Sequence, residues 1–218
     1  MKQIGRYAIA IALALLGLGI ALALYPQLPA QVPVHWNARG VIDGWMPKDV
    51  GAFIQPVIAL GVVGLLIVFE PEESRDRQVG AFHWGYPLFV TMLSAFMLCV
   101  TILMLRAALG THLRVSTDIV AAMGILFAAF GSNLGRIPQN RRVGIRLPWT
   151  LSSPEVWART HRFAAVLFVL TGVGTAAFVL ITGRPSSAAY GVAALVAAAL
   201  ATCVYSYVLA RRLKQGEA

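Results

Sequence analysis

Six long apolar runs determine what this chain can fold into. None of the six contains Asp, Glu, Lys or Arg, and about 20 mostly apolar residues form a helix long enough to cross a bilayer. The sequence therefore predicts an all-α, polytopic integral membrane protein with six transmembrane helices. The runs are Tyr7–Tyr25, Val50–Phe69, Gln78–Leu105, Ile119–Gly135, Phe163–Gly183 and Pro185–Ala210.

The run Ile119–Gly135 is the shortest of the six. As a helix it would be about 25 Å long, a little less than the roughly 30 Å hydrocarbon core. We expect the helix to begin earlier, within Val115–Thr117. Asp118 would then lie near the N-terminus of this helix, where a negative charge interacts favourably with the helix dipole.

The composition excludes a soluble domain. Charged residues make up 12% of the 218 residues, about half of the roughly 25% that is usual in soluble proteins. The net charge of +9 comes from basic residues in short connectors between the apolar runs. This distribution favours loops beside an anionic leaflet and argues against direct binding of nucleic acid.

The distribution of Lys and Arg predicts the orientation. With the N-terminus inside, the inner segments hold thirteen of these residues and the outer loops hold five. Because basic residues accumulate in cytoplasmic loops, we expect both termini in the cytoplasm and a multi-pass protein of the plasma membrane. The first run exceeds the roughly 7–15 residues of a signal-peptide core, so we expect it to remain as a helix.

The sequence contains no pattern typical of an enzyme. No run carries a charge near its middle, where charged groups are normally kept only for a function. The chain lacks HExxH, GxSxG and phosphate-binding loop motifs. Its histidines are expected on opposite sides of the membrane, His35 and His112 outside and His83 and His161 near the inner face. We therefore expect no catalysis, no metal and no cofactor.

The outer connector from Leu28 to Lys48 is one of two informative loops. Its prolines favour extended backbone, and Gly40 and Asp43-Gly44 are turn signals. Two interpretations stay open: an ordered loop lying on the outer leaflet, with its tryptophans at the interface, and a surface that recognises a peptide or another ligand. The candidate recognition residues are His35, Trp36, Asn37, Asp43, Gly44 and Trp45.

The inner connector from Asn133 to Arg162 is the other informative loop. Ser152-x-x-Glu155 has the form of a capping box, which predicts a helix with Ser152 as N-cap that runs into the fifth span. The Arg and Trp residues suit either a positive inner face with an aromatic belt at headgroup depth, including Trp149 and Trp157, or a cytoplasmic docking site. The candidate docking residues are Gly144, Arg146, Pro148, Trp149, Trp157, Arg159, Thr160 and His161.

Both connectors resemble segments of known proteins. The stretch Val143–Arg162 is similar to the signature segment of the SdpI family, membrane immunity proteins against the toxin peptide called sporulation-delaying protein. The outer loop, with Val32–Asn37, Gly40 and Asp43–Trp45, resembles a small two-helix domain of unknown function that often precedes the SdpI region. The resemblance implies an N-terminal two-helix domain at residues 1–80 and an SdpI-like four-helix membrane domain at residues 81–218.

The family resemblance implies two activities. One is protection of the cell from a membrane-active peptide toxin, and the other is capture of a cytoplasmic autorepressor at the membrane when toxin is bound. The implied partners are therefore the lipid bilayer, a secreted peptide toxin and a cytoplasmic autorepressor. A transporter or exporter of a small or peptidic compound is the alternative. It requires a polar site inside the membrane, for which Gln55-Pro56 and Asn133 are the candidates.

Overall fold

The computed structural model describes residues 4–37, 40–70, 81–111, 114–141 and 143–216, with residues 81–84 described by their backbone alone. Within these ranges, six helices are long and apolar enough to cross a membrane, which confirms the predicted all-α, six-helix architecture. In chain order the helices are α1 (Ala8–Leu24), α2 (Lys48–Val68), α3 (Ala81–Ala108), α4 (Val115–Leu134), the short α5 (Pro148–Ser152), α6 (Pro154–Thr182) and α7 (Pro185–Gln215). Strands β1 (Gln31–Trp36) and β2 (Ile42–Pro47) lie between α1 and α2.

The helix boundaries agree with the expectation for the shortest apolar run, Ile119–Gly135. Helix α4 begins at Val115, and Asp118 lies in its first turn. Pro56 lies inside α2, and this helix continues from Lys48 to Val68 without a break. Helix α6 begins at Pro154, well before the apolar run, so the end of the inner connector is helical as predicted.

Helices α1, α2 and α3 pack against one another and form the N-terminal group. Ser94 on α3 donates a hydrogen bond of 2.7 Å to the backbone oxygen of Ala10 on α1. The Tyr86 hydroxyl, also on α3, donates one of 2.8 Å to the backbone oxygen of Leu66 on α2. These bonds matter in lipid, because an apolar solvent provides no hydrophobic force that would hold helices together.

Helices α4, α6 and α7 form the C-terminal group, in which glycines allow the closest helix contacts. A Cβ on Gly124 of α4 would lie 2.6 Å from the backbone oxygen of Gly172 on α6. A Cβ on Gly131, about two helical turns further along α4, would lie 2.8 Å from Cβ of Phe168 on α6. Small residues at these positions therefore let the two backbones approach each other.

The two groups meet along a seam between α3 and α4. The rings of Phe89 on α3 and Phe130 on α4 are 5.4 Å apart. Helix α3 thus contacts α4 as well as its partners α1 and α2. The predicted division of the chain at residue 80 stays a prediction.

Candidate functional site

The outer loop folds as a two-stranded antiparallel hairpin, residues 31–47. Its register pairs Gln31 with Pro47 and Trp36 with Ile42, with irregularities between residues 33 and 36. The predicted extended backbone is confirmed, and Gly40 has the positive φ of 76° that its turn requires. The hairpin marks one end of the helix bundle, which we call the hairpin end. The opposite end, where residues 136–153 join α4 to α6, is the connector end.

The prediction of a turn at Asp43-Gly44 was wrong, because both residues lie inside β2. Gly44 is opposite His35, and a Cβ on residue 44 would lie 2.7 Å from Cβ of His35. The glycine is therefore needed for close approach of the two strands rather than for a turn.

The hairpin is anchored on the N-terminal group through its first strand. Val32 is 3% exposed and packs in one cluster with Leu28, Ala52 of α2 and Leu105 of α3. Gly51 of α2 makes this possible, since a Cβ there would overlap a methyl group of Val32. Burial of apolar surface thus holds the hairpin in a defined position on the bundle.

Several predicted recognition residues come together on the hairpin and remain accessible. His35 Nδ1 lies 2.6 Å from a carboxylate oxygen of Asp43, and both side chains are exposed. Asn37 organises the turn, accepting a 3.2 Å hydrogen bond from the backbone nitrogen of Val41 through its side-chain oxygen. Trp45 is 55% exposed, while Trp36 is partly buried.

The tip of the hairpin reaches the C-terminal group. A Cβ on Gly40 would lie 2.9 Å from the Ser116 hydroxyl oxygen, at the start of α4, and 3.0 Å from Cβ of Pro185, at the start of α7. The hairpin therefore links the two helix groups at this end of the bundle.

The connector is held in a single fold by hydrogen bonds around Thr150. This residue is fully buried, and its hydroxyl accepts from the backbone nitrogen of Leu147 and lies 2.7 Å from the backbone oxygen of Ile145. The side-chain amide of Gln139 lies 2.9 Å from the backbone oxygens of Thr150 and Leu151. These bonds satisfy backbone groups at both ends of the short helix α5.

Three of the predicted docking residues form one cluster, Gly144, Trp157 and His161, of which Trp157 and His161 are buried. The Trp157 and His161 rings stack with centroids 4.0 Å apart, and Gly144 packs against both with a positive φ of 114°. The backbone nitrogen of Ile145 donates to His161 Nε2 at 3.1 Å, which places the ring proton on Nδ1. Nδ1 then donates to the backbone oxygen of Trp157 at 2.9 Å.

Two expectations for the connector need correction. The N-cap of α6 is Ser153, whose hydroxyl accepts from the backbone nitrogen of Val156, whereas Ser152 ends α5 and bonds to Trp149. The intervening Ser153 has extended backbone, which starts α6 one residue later than the predicted capping box. Trp157 is 2% exposed and its indole donates to the backbone oxygen of Ile137, so it fills the protein interior instead of an aromatic belt.

Trp149 joins the connector to the last helix. Its indole nitrogen donates a 2.9 Å hydrogen bond to Ser206 of α7, and its ring lies edge-on to Tyr207 at 5.3 Å.

Thr160 is fully buried inside the protein. Of the predicted docking residues, only Arg146 and Pro148 are exposed, and Arg159 is partly exposed beside Glu155. The accessible part of the predicted site is therefore basic.

The connector also contacts the N-terminal group. Val143 packs on a buried cluster that contains Tyr7, the residue just before α1, and Tyr86 of α3. Beside it, Arg6 and Glu70 form an ion pair of 3.0 Å whose side chains are 9% and 3% exposed. Arg6 and Glu70 were not singled out from the sequence, because each sits at the edge of an apolar run where a charge is normally solvated.

Thr150, Gln139 and Asn140 were also missed. Asn140 is 4% exposed, and its side chain accepts from the backbone nitrogen of Val143 at 2.7 Å and donates to the backbone oxygens of Pro138 and Val143. The Pro138-Gln139-Asn140 sequence is a turn signal that could have indicated this role. Two histidines considered for a metal site, His112 and the side chain of His83, lie outside the described residues.

Comparison with known proteins matches two segments of the chain. Residues 136–207 match the SdpI/YfhL protein family. This SdpI segment starts with the connector and extends through α6 into α7. Residues 12–60 match a domain of unknown function, DUF1648, which covers most of α1, the hairpin and the first part of α2.

A curated relative of the SdpI segment extends the match. Over 161 residues, 74% of this chain and 75% of the relative, the chain is 24% identical to the immunity protein SdpI of Bacillus subtilis (strain 168). No solved structure matches this chain. The resemblance seen in the two connectors is thus confirmed, and with the six apolar helices it makes the chain a multi-pass protein of the plasma membrane.

Proposed function

We propose that this protein is an SdpI-like membrane immunity and signalling protein, which protects its cell from a membrane-active peptide toxin. The observation that carries the proposal is the connector. Its SdpI-type motif is folded into one ordered unit around Gly144, Trp157 and His161, and it belongs to a stretch of similarity with a protein named for immunity.

The hairpin supports a role in toxin recognition. It presents Trp45, Asp43 and His35 at the surface while Val32 holds it on the bundle. An accessible aromatic ring beside polar groups on a rigid support is typical of a recognition surface. By the positive-inside rule this end faces the exterior, from which a secreted peptide arrives.

The connector supports a second role, capture of a cytoplasmic autorepressor. Its exposed side chains include Arg146 and Pro148, with Arg159 partly exposed. A basic patch of this kind suits an acidic surface on a protein partner. Coupling between the roles requires two arrangements of the helix groups, each favoured by a different ligand.

Protection is tested by deleting the gene and challenging the cells with sporulation-delaying protein and a panel of other membrane-active peptides. We expect faster loss of membrane potential and survival in the deletion strain, and recovery when the gene is restored. Equal sensitivity of deleted and restored cells to every peptide would contradict the proposal.

The division of roles is tested with two variants, each paired with a control. Trp45→Ala should lower the tolerated peptide concentration by roughly tenfold or more, as for a central aromatic anchor. Tyr190→Ala, which removes a 69% exposed ring near the same end, should leave the tolerated concentration unchanged.

Arg146→Ala should abolish the toxin-induced rise of a reporter driven by this gene's own promoter, whereas Arg212→Ala should leave that rise unchanged. All values are normalised to protein in the membrane.

The same assay distinguishes recognition from structural anchoring. If protection and reporter response always fall together with the amount of membrane protein, both loops are interfacial anchors. That result would contradict the division of roles.

A further inference from the structure

An apolar groove runs along the seam between α3 and α4, from the connector end towards the middle of the membrane. Its mouth has a volume of about 560 Å³ and is lined by Phe69, Tyr86, Phe89 and Phe130, with Arg146 at the edge. This volume lies within the range of roughly 300–1,000 Å³ typical of ligand sites.

The groove continues beyond its mouth. Phe89 and Phe130 also line a narrow neck, together with Met92, Ala129 and Arg136. Met92 and Ala129 in turn line a deeper apolar section of about 260 Å³ that reaches Cys99. Mouth, neck and deeper section therefore follow one another along the seam, and the neck, with a volume of about 20 Å³, is the narrowest of the three.

The length and shape of the groove suit one acyl chain. From Tyr86 to Cys99 the helix rises about 20 Å, comparable to the roughly 15 Å thickness of one leaflet of the hydrocarbon core. Exposed side chains such as Ile125, 61% exposed, open the deeper section towards lipid. A second helix, about 10 Å wide, would not enter the narrow neck.

The charges at the mouth and neck suit a phosphate. Arg136 and Arg146 are exposed at this end, and the residues that line the three described sections include no acidic side chain. Guanidinium groups form paired hydrogen bonds with phosphate oxygens, and basic sites between transmembrane helices bind anionic headgroups.

We propose that this groove is a binding site for an anionic phospholipid of the adjoining leaflet. Its phosphate binds Arg136 and Arg146, and one acyl chain passes the neck at Ala129 and ends near Cys99. The lipid then fills the seam between the two helix groups. The proposal concerns a structural ligand and does not depend on immunity: Arg136 and the neck belong to this site alone, whereas Arg146 is shared with the connector surface proposed above for the autorepressor.

Native mass spectrometry of the purified full chain provides the first test, with phosphatidylglycerol and phosphatidylcholine of identical acyl chains as probes. Phosphatidylglycerol should bind preferentially. Arg136→Gln with Arg146→Gln should weaken its binding by roughly tenfold to thirtyfold, since each basic residue near an anionic surface contributes a factor of about five. The control pair Arg212→Gln with Lys214→Gln removes two charges elsewhere and should retain binding.

The neck is tested separately. Ala129→Trp should block phosphatidylglycerol binding, whereas Ala201→Trp, at an exposed alanine of α7, should not. Helical content is compared by circular dichroism. Loss of binding in the arginine variant but not in Ala129→Trp would overturn the proposal, because the lipid would then contact the protein through its headgroup alone.

The two native cysteines allow a further measurement in the unmodified chain. Cys99 lines the deeper section, whereas Cys203 lies on α7 outside it. Phosphatidylglycerol should slow alkylation of Cys99 by a membrane-permeant maleimide at least severalfold relative to phosphatidylcholine, with Cys203 unchanged. Equal rates at Cys99 in both lipids, or protection by a hydrophobic peptide or a second copy of the chain instead of lipid, would overturn the proposal.

Discussion

At the scale of single residues, Gly144 decides how the connector folds. Its positive φ of 114° is a conformation that L side chains rarely adopt, and a Cβ there would lie 2.5 Å from His161 Nε2 and 3.0 Å from the Trp157 ring. The glycine therefore lets the chain turn tightly over the stacked rings while Ile145 reaches His161. Most side chains of the motif identified from the sequence therefore stabilise the fold of the connector from inside the protein.

Gly144→Ala should consequently destabilise the protein, by about 2 kcal/mol or more, because backbone strain and steric overlap add. We expect a lower midpoint of thermal unfolding in detergent. Gly174→Ala is the control, since a Cβ on this helical glycine of α6 has nothing within 4 Å. Equal midpoints for the two variants would show that the connector tolerates a side chain at residue 144.

The sequence indicated which residues matter in the connector but not what they do. Trp157 and His161 were recognised from the motif, yet Trp residues among arginines also suit a membrane interface, and only the three-dimensional packing distinguishes these roles. Thr150 and Gln139 left no signal, because their partners are backbone groups. Hydrogen bonds to backbone depend on how the chain folds rather than on residue type.

At the scale of secondary-structure elements, the six helices could be predicted because each spanning helix satisfies its own backbone groups and needs only length and apolar composition. The hairpin was less predictable. Its prolines indicated extended backbone, but strand pairing depends on contacts between positions 31–36 and 42–47. The glycines that allow these contacts, Gly44 and Gly51, resemble turn or helix residues in the sequence.

Gly51→Ala should loosen the hairpin, because the added Cβ would overlap Val32, which is 3% exposed. Overpacking of this kind typically costs about 1–3 kcal/mol. We expect faster proteolysis within residues 28–47 of the folded protein. Gly61→Ala lies on the same helix with open space around it and serves as the matched control. Unchanged cleavage in Gly51→Ala would mean that Val32 can move without freeing the hairpin.

At the scale of the whole molecule, the hairpin and the connector lie at opposite ends of the bundle. The excess of Lys and Arg predicts that the hairpin faces the exterior and the C-terminus faces the cytoplasm. In a background without native cysteines, Val41→Cys, at a position that is 57% exposed, should react with an impermeant maleimide on intact cells. Lys214→Cys should react only after the cells are opened. The reverse pattern would invert the orientation.

The buried ion pair between Arg6 and Glu70 has a consequence for biosynthesis. The two residues are 64 positions apart, so the ribosome delivers Arg6 long before its partner exists. A charged group is costly to bury alone, which keeps Arg6 at the aqueous surface until α2 has been inserted. Val143 packs on the adjoining cluster around Tyr7 and is made later still. We therefore expect this end of the molecule to be completed in the order of translation, with the ion pair forming first and the connector packing on it afterwards.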